Sequence, residues 1–118
     1  MTLRQGDGYP VTHEALAPGA ASIRDEQTVD LRTQPVALEV AAGRQVVQDD
    51  SRAAFDDPAF QRMLDAYGGL AAQIVTPVFK GSRVAAILSL HQLGEPRRWT
   101  ADEIRRCREA AATIAAAL

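Results

Sequence analysis

The sequence predicts an α+β fold in which helices cover the faces of an antiparallel β-sheet, and three observations carry that reading. Ala72–Phe79 and Val84–Gln92 are runs rich in Val, Ile and Leu, joined through Lys80-Gly81-Ser82-Arg83, which is the pattern of a hairpin. Asp57 and Pro58 stand at the natural N-cap and first position of a helix, and Phe60, Met63, Leu64 and Tyr67 follow as one apolar stripe. Thr100-Ala101-Asp102-Glu103 is a capping box, after which Ile104, Cys107, Ala111, Ile114 and Leu118 recur at alternating spacings of three and four.

The other elements follow in chain order. Residues 1–8 carry no pattern and are expected to form a flexible start. Tyr9–Leu16 and Ala20–Leu31 are expected strands either side of the turn-like Ala17-Pro18-Gly19. Pro35–Ala42 is a short helix that starts at Thr33 or Gln34 and stops at Gly43. Arg44–Asp49 is a short strand leading to a polar turn at Asp50-Ser51, and Gly68-Gly69 ends the helix that begins at Pro58. The whole is one domain over 1–118: strands in 9–31, helix-strand-helix in 33–67, the hairpin in 72–92 and a terminal helix in 100–118.

A two-residue turn at Gly81-Ser82 sets a register, because side chains alternate between faces with period two. Phe79 then opposes Val84, Val78 opposes Ala85, Thr76 opposes Ile87, Ile74 opposes Ser89 and Ala72 opposes His91. One face would carry Val75, Pro77, Phe79, Val84, Ala86, Leu88 and Leu90, and its apolar character suits the terminal helix. The other would carry Ile74, Thr76, Val78, Ala85, Ile87, Ser89 and His91, a mixed surface suited to a pocket.

Composition narrows the function. At 118 residues the chain has the size of a single domain, with 47% hydrophobic residues and few aromatics. Thirteen basic residues against fifteen acidic give a net charge of −2. Arg97-Arg98 and Arg105-Arg106-Arg108 sit among Asp102, Glu103 and Glu109, so no basic patch for nucleic acid is expected. Cys107 is the sole cysteine, which excludes an intrachain disulfide. No apolar run approaches the ~20 residues that span a bilayer, and the N-terminus lacks a signal-peptide core. A cytoplasmic location with no membrane partner is the expectation.

The second half of the chain resembles GAF domains, in particular the phytochrome-related and bacterial signalling branch. The match runs through Ile74-Val75-Thr76-Pro77-Val78, Val84–His91 and Pro96-Arg97-Arg98-Trp99-Thr100-Ala101-Asp102-Glu103-Ile104 into an Ala-rich helix. Gln45–Asp50 and the Asp57–Tyr67 helix fit the family's central strand and pocket-side helix. The resemblance implies a central antiparallel sheet of five or six strands, with the terminal helix on one face and a ligand pocket under the pocket-side helix on the other. It covers 35–118 well and 9–31 poorly. A typical member begins with a helix and strand for which there is no room here, so the apolar sheet face is expected to be covered in a homodimer.

Within that family the sequence points to binding rather than catalysis. Free methionine sulfoxide reductase chemistry needs pocket cysteines, whereas Cys107 lies on an apolar helical seam and reads as a small hydrophobe. Linear tetrapyrroles in this branch attach through a cysteine on the pocket-side helix or upstream, and none is present there; His91 does stand where relatives carry a chromophore-facing histidine. His13 and His91 lie in distant segments without metal-ligand spacing, and the Asp residues at 49, 50, 56 and 57 read as caps and turns. The Asn-Lys…Phe…Asp-Glu pattern of the family's cyclic-nucleotide phosphodiesterase branch is absent. The expected role is therefore sensory or regulatory, through reversible binding of an unidentified small molecule, signalled through a homodimer helix interface to a separate partner. Candidate ligand-binding residues are His91, Ser89, Thr76, Ile74, Tyr67, Met63, Phe60 and Phe55, although aromatics and Met at helical spacing also read as plain core. The alternative is a ligand-free dimerisation or docking module.

Overall fold

The computed structural model describes residues 2–3, 12–20, 22–23 and 34–118. In chain order the elements are β1 (Thr2–Leu3), α1 (Pro35–Ala41), β2 (Val46–Gln48), α2 (Ser51–Ala54), α3 (Pro58–Ala66), β3 (Leu70–Lys80), β4 (Arg83–Leu93) and α4 (Ala101–Ala117). The described strands form one antiparallel sheet in the order β1-β4-β3-β2. The fold class is the expected one, with four strands among the described residues. The two strands expected within 9–31 fall largely outside those residues. The described part, 12–20, is irregular rather than a strand, and turns at Pro18-Gly19, where the Ala20 amide donates to the Ala17 carbonyl at 3.0 Å.

Local chemistry accounts for the helices. α1 starts on Pro35, whose missing N–H costs nothing there, and stops at Gly43, which adopts φ +91°. Asp57 caps α3 by accepting from the Ala59 amide at 2.9 Å. Both halves of the α4 capping box form: Thr100 Oγ1 accepts from the Glu103 amide, and a Glu103 carboxylate oxygen accepts from the Thr100 amide. Those bonds, the backbone one first, hold the Glu103 carboxyl below the usual range. The polar turn expected at Asp50-Ser51 instead opens a single helical turn, α2.

The hairpin contains a correction. Its turn is as expected, with Gly81 at φ +64° between paired Lys80 and Arg83, and Phe79 opposes Val84. A bulge then inserts Ala85, so that Val78 opposes Ala86, Thr76 opposes Leu88, Ile74 opposes Leu90, Val75 opposes Ser89 and Gln73 opposes His91. One extra residue in one strand exchanges the partners of every pair beyond it. Ile74 and Thr76 therefore share a face with Leu88 and Leu90, and Val75 and Pro77 share the face of Ile87, Ser89 and His91.

Packing follows these faces. On one, α4 lies over Ala72, Ile74, Val78 and Ala86 through Ile104, Cys107, Ala111 and Ile114, with Trp99 sealing one end. Ala86 and Ala111 meet where only small side chains admit the helix so close. Gln45 ties this layer, its Nε2 donating to Thr76 Oγ1 at 3.1 Å and to the Ile104 carbonyl at 3.3 Å. On the other face, Val36 and Val40 of α1 and Phe60, Met63 and Leu64 of α3 bury against Val75 and Ile87.

Candidate functional site

That second face does not close completely. A cavity of about 1130 Å³ lies between it, the start of α1, the end of α3 and the 12–20 segment. Its sheet wall is Gln73 and Val75 of β3 with Ile87–Leu93 of β4. Val36, Ala37, Met63 and Tyr67 line the helical side, and the chain from His13 to Ala20 forms an outer wall. Glu14 folds that segment on itself, accepting from Ser22 Oγ at 2.6 Å and from the Ile23 amide at 2.9 Å. Among the described residues, β1 pairs with β4 at Ile87 and Ala86. Beyond them the cavity turns round the β4 edge to reach Leu88, Leu90 and Ile114 of α4.

His91 is the centre of the polar wall. β4's alternation aims it to the cavity side opposite Gln73, and the Tyr67 ring stacks against it with centroids 6.1 Å apart and planes 22° from parallel. Tyr67 is placed by the end of α3, where Gly68 and Gly69 both take positive φ and turn the chain into β3. Burial pushes the His91 pKa down to about 4, so the imidazole is neutral near pH 7 and offers one donor and one acceptor.

A buried amide pair carries the wall towards α4. Gln73 Nε2 donates to Gln48 Oε1 at 2.9 Å, and the Gln48 carbonyl accepts from the Trp99 indole at 3.0 Å. Asp49 continues the link: its side chain accepts from the Trp99 amide at 3.1 Å and its carbonyl from the Arg97 amide at 3.0 Å. Arg97 lies over the Trp99 ring at 4.7 Å and pairs with Glu103. The next residue after Trp99 is the Thr100 cap of α4.

Of the residues expected at a site, the structure brings His91, Ser89, Met63 and Tyr67 to the cavity. Phe55 and Phe60 do not line it; they pack edge to face at 5.1 Å within the core. Ile74 and Thr76 are on the far side of the sheet under α4, displaced there by the Ala85 bulge. Gln34, Gln73 and the 12–20 segment are cavity residues that the sequence reading missed. Gln73 was readable in principle, since it opposes His91 once the bulge is placed.

The arrangement suits the holding of an apolar molecule by a few polar anchors. Among the described residues there is no group of three His, Cys, Asp or Glu side chains able to hold a metal ion. Cys107 is buried against the other sheet face, where burial first and Glu103 second raise its thiol pKa. None of the helices among the described residues is long and apolar enough to cross a membrane.

The GAF domain family model matches residues 2–118, and the chain belongs to the GAF family. Its fold is shared with solved GAF domains of cyanobacterial photoreceptors. The blue-light-absorbing form of the Thermosynechococcus elongatus PixJ GAF domain is 24% identical with a TM-score of 0.82, over 98% of this chain and 70% of that one. The photoproduct state of the third GAF domain of a Synechocystis sp. PCC6803 protein is 21% identical with a TM-score of 0.77, over 98% and 77%. A far-red-absorbing dark state with bound biliverdin IXα is 16% identical with a TM-score of 0.79, over 98% and 75%. A search of proteins of curated function finds no match by sequence. A tetrapyrrole attached through a cysteine does not fit this chain, because Cys107 is its sole cysteine and lies across the sheet from the cavity.

Proposed function

We propose that this chain is a cytoplasmic sensory or regulatory GAF domain that reversibly binds a small molecule in the cavity and signals through a homodimer. It acts by binding, without catalysis of its own. The supporting observation is the extent of the cavity wall, which joins the His91 face of the sheet to Ile114 on α4. A ligand seated there touches the signalling helix directly. It also touches Gln73, from which the Gln48–Trp99 bonds lead to the start of that helix. A molecule that favours one α4 packing over another shifts the population between them.

On this reading the dimer forms on the α4 side of the sheet. One helix does not cover that face: Leu90 on β4 remains 43% exposed and Val47 on β2 39% exposed, either side of it, with Leu118 exposed at its end. The seam from Ile104 to Ile114 faces the sheet, so a second copy would add beside α4 rather than along that seam.

Native mass spectrometry of the protein after incubation with a cell extract tests the reading, alongside a Ser89→Phe variant that obstructs the cavity at its sheet wall. The expected spectrum is a dimer carrying added mass that the variant loses. A bare dimer would favour the ligand-free dimerisation or docking module, and a bare monomer would overturn both parts.

A further inference from the structure

We propose that the buried Gln73–Gln48 amide pair is the device by which occupancy of the cavity reaches the N-terminal cap of α4. The proposal rests on the cavity being a ligand site, as proposed above, and deepens it by assigning the regulatory route.

β2 is three residues long and ends at Gln48, directly opposite Gln73 of β3. Gln73 lines the cavity and Gln48 does not. Both are buried, and Gln73 Nε2 donates to Gln48 Oε1 at 2.9 Å. A buried amide donor is costly to leave without its acceptor, so displacement of one side chain is carried to the other. A strand of three residues has few ladder bonds with which to resist that displacement.

Three N–H groups of the loop before α4 land on Gln48 and Asp49. The Trp99 indole donates to the Gln48 carbonyl at 3.0 Å, the Trp99 amide to the Asp49 carboxylate at 3.1 Å and the Arg97 amide to the Asp49 carbonyl at 3.0 Å. The Trp99 ring itself packs with Ala72, Ile74 and Cys107 on the α4 side of the sheet. Gln48 thus joins the two layers: its side chain holds a cavity residue, and its carbonyl holds the residue that precedes the Thr100 cap. The cavity touches α4 directly at Ile114, towards the other end of the helix. Direct contact and the amide pair therefore act on opposite ends of α4 and are separable. A ligand that favours one setting of Gln73 biases the start of the helix through this chain of bonds.

Trp99 is the sole tryptophan, so its indole N–H gives a single NMR signal. The test is titration of the 15N-labelled protein with N-phenyl-1-naphthylamine, a largely apolar dye whose fluorescence reports binding independently. In the wild type the Trp99 indole, Thr100 and Ile114 signals are expected to move with the midpoint of dye binding. Gln48→Met keeps the length of the side chain and removes its acceptor. It is expected to bind the dye within about threefold of the wild type and to keep the Ile114 shift. Its Trp99 and Thr100 shifts are expected to fall by roughly threefold or more. Gln48→Glu, which keeps an acceptor at the same reach, is expected to retain them. Dye binding that leaves Trp99 and Thr100 unmoved in the wild type would overturn the relay while leaving the site in place. Shifts undiminished in Gln48→Met, or lost equally in both variants, would do the same. Absence of dye binding to the wild type would overturn the ligand-site reading, and the relay with it.

Discussion

Asp49 sits where β2 ends, and its carboxylate and its carbonyl both receive N–H groups from the loop before α4. The sequence around it reads as a run of turn-forming Asp residues, and nothing local announces a partner fifty positions away. Asp49→Ala strands the buried Trp99 amide, and urea denaturation is expected to show a loss of about 1–3 kcal/mol. His91 makes a prediction about acid. Its folded pKa, about 4, lies below the ordinary 6.5, so the unfolded chain binds the extra proton first. Stability is then complete above pH 6.5 and falls as the pH drops towards 4, by on the order of 2 kcal/mol for this partly buried ring. His91→Gln should remove that component, seen as a smaller difference in unfolding free energy between pH 7 and 4.5 than in the wild type. Equal slopes would place the imidazole in water.

At the scale of elements, the signals that proved reliable are those whose chemistry is complete within a few residues. The Thr100 box, the Asp57 cap and the Gly81 turn each form from adjacent side chains and backbone, and each was legible. Thr100→Ala should cost about 1 kcal/mol, measured by thermal or urea unfolding, with the first turn of α4 fraying. The Ala85 bulge was not legible, because an inserted residue leaves the apolar composition of both strands unchanged. It is answered only by what packs above: small residues, Ala86 and Ala111, where α4 approaches the sheet. Ala111→Leu forces an isobutyl group into that contact and is expected to cost about 1–3 kcal/mol by urea denaturation. A neutral result there would mean that α4 stands further from β4 than the structure has it.

Across the whole molecule, the sheet separates a packed side from a hollow one, and the sequence reading had the layers right while exchanging part of their contents. His91 and Ser89 were placed on the cavity side because β4 alternates cleanly beyond Ala86. Ile74 and Thr76 were misplaced because a single unpaired residue changes which β3 side chains accompany them. Gln34 and the 12–20 segment were not identified at all, since a site assembled from distant segments leaves no spacing to read. The central claim is that the His91 face is where a small molecule binds. The most direct measurement is amide NMR of the protein titrated with N-phenyl-1-naphthylamine. The account predicts the largest shifts at Gln73, Met63, Ser89 and His91, reaching Ile114, with smaller ones at Ile74, Thr76 and Cys107 beneath and along α4. Shifts centred on Ile74, Thr76 and Cys107, or none anywhere, would contradict it.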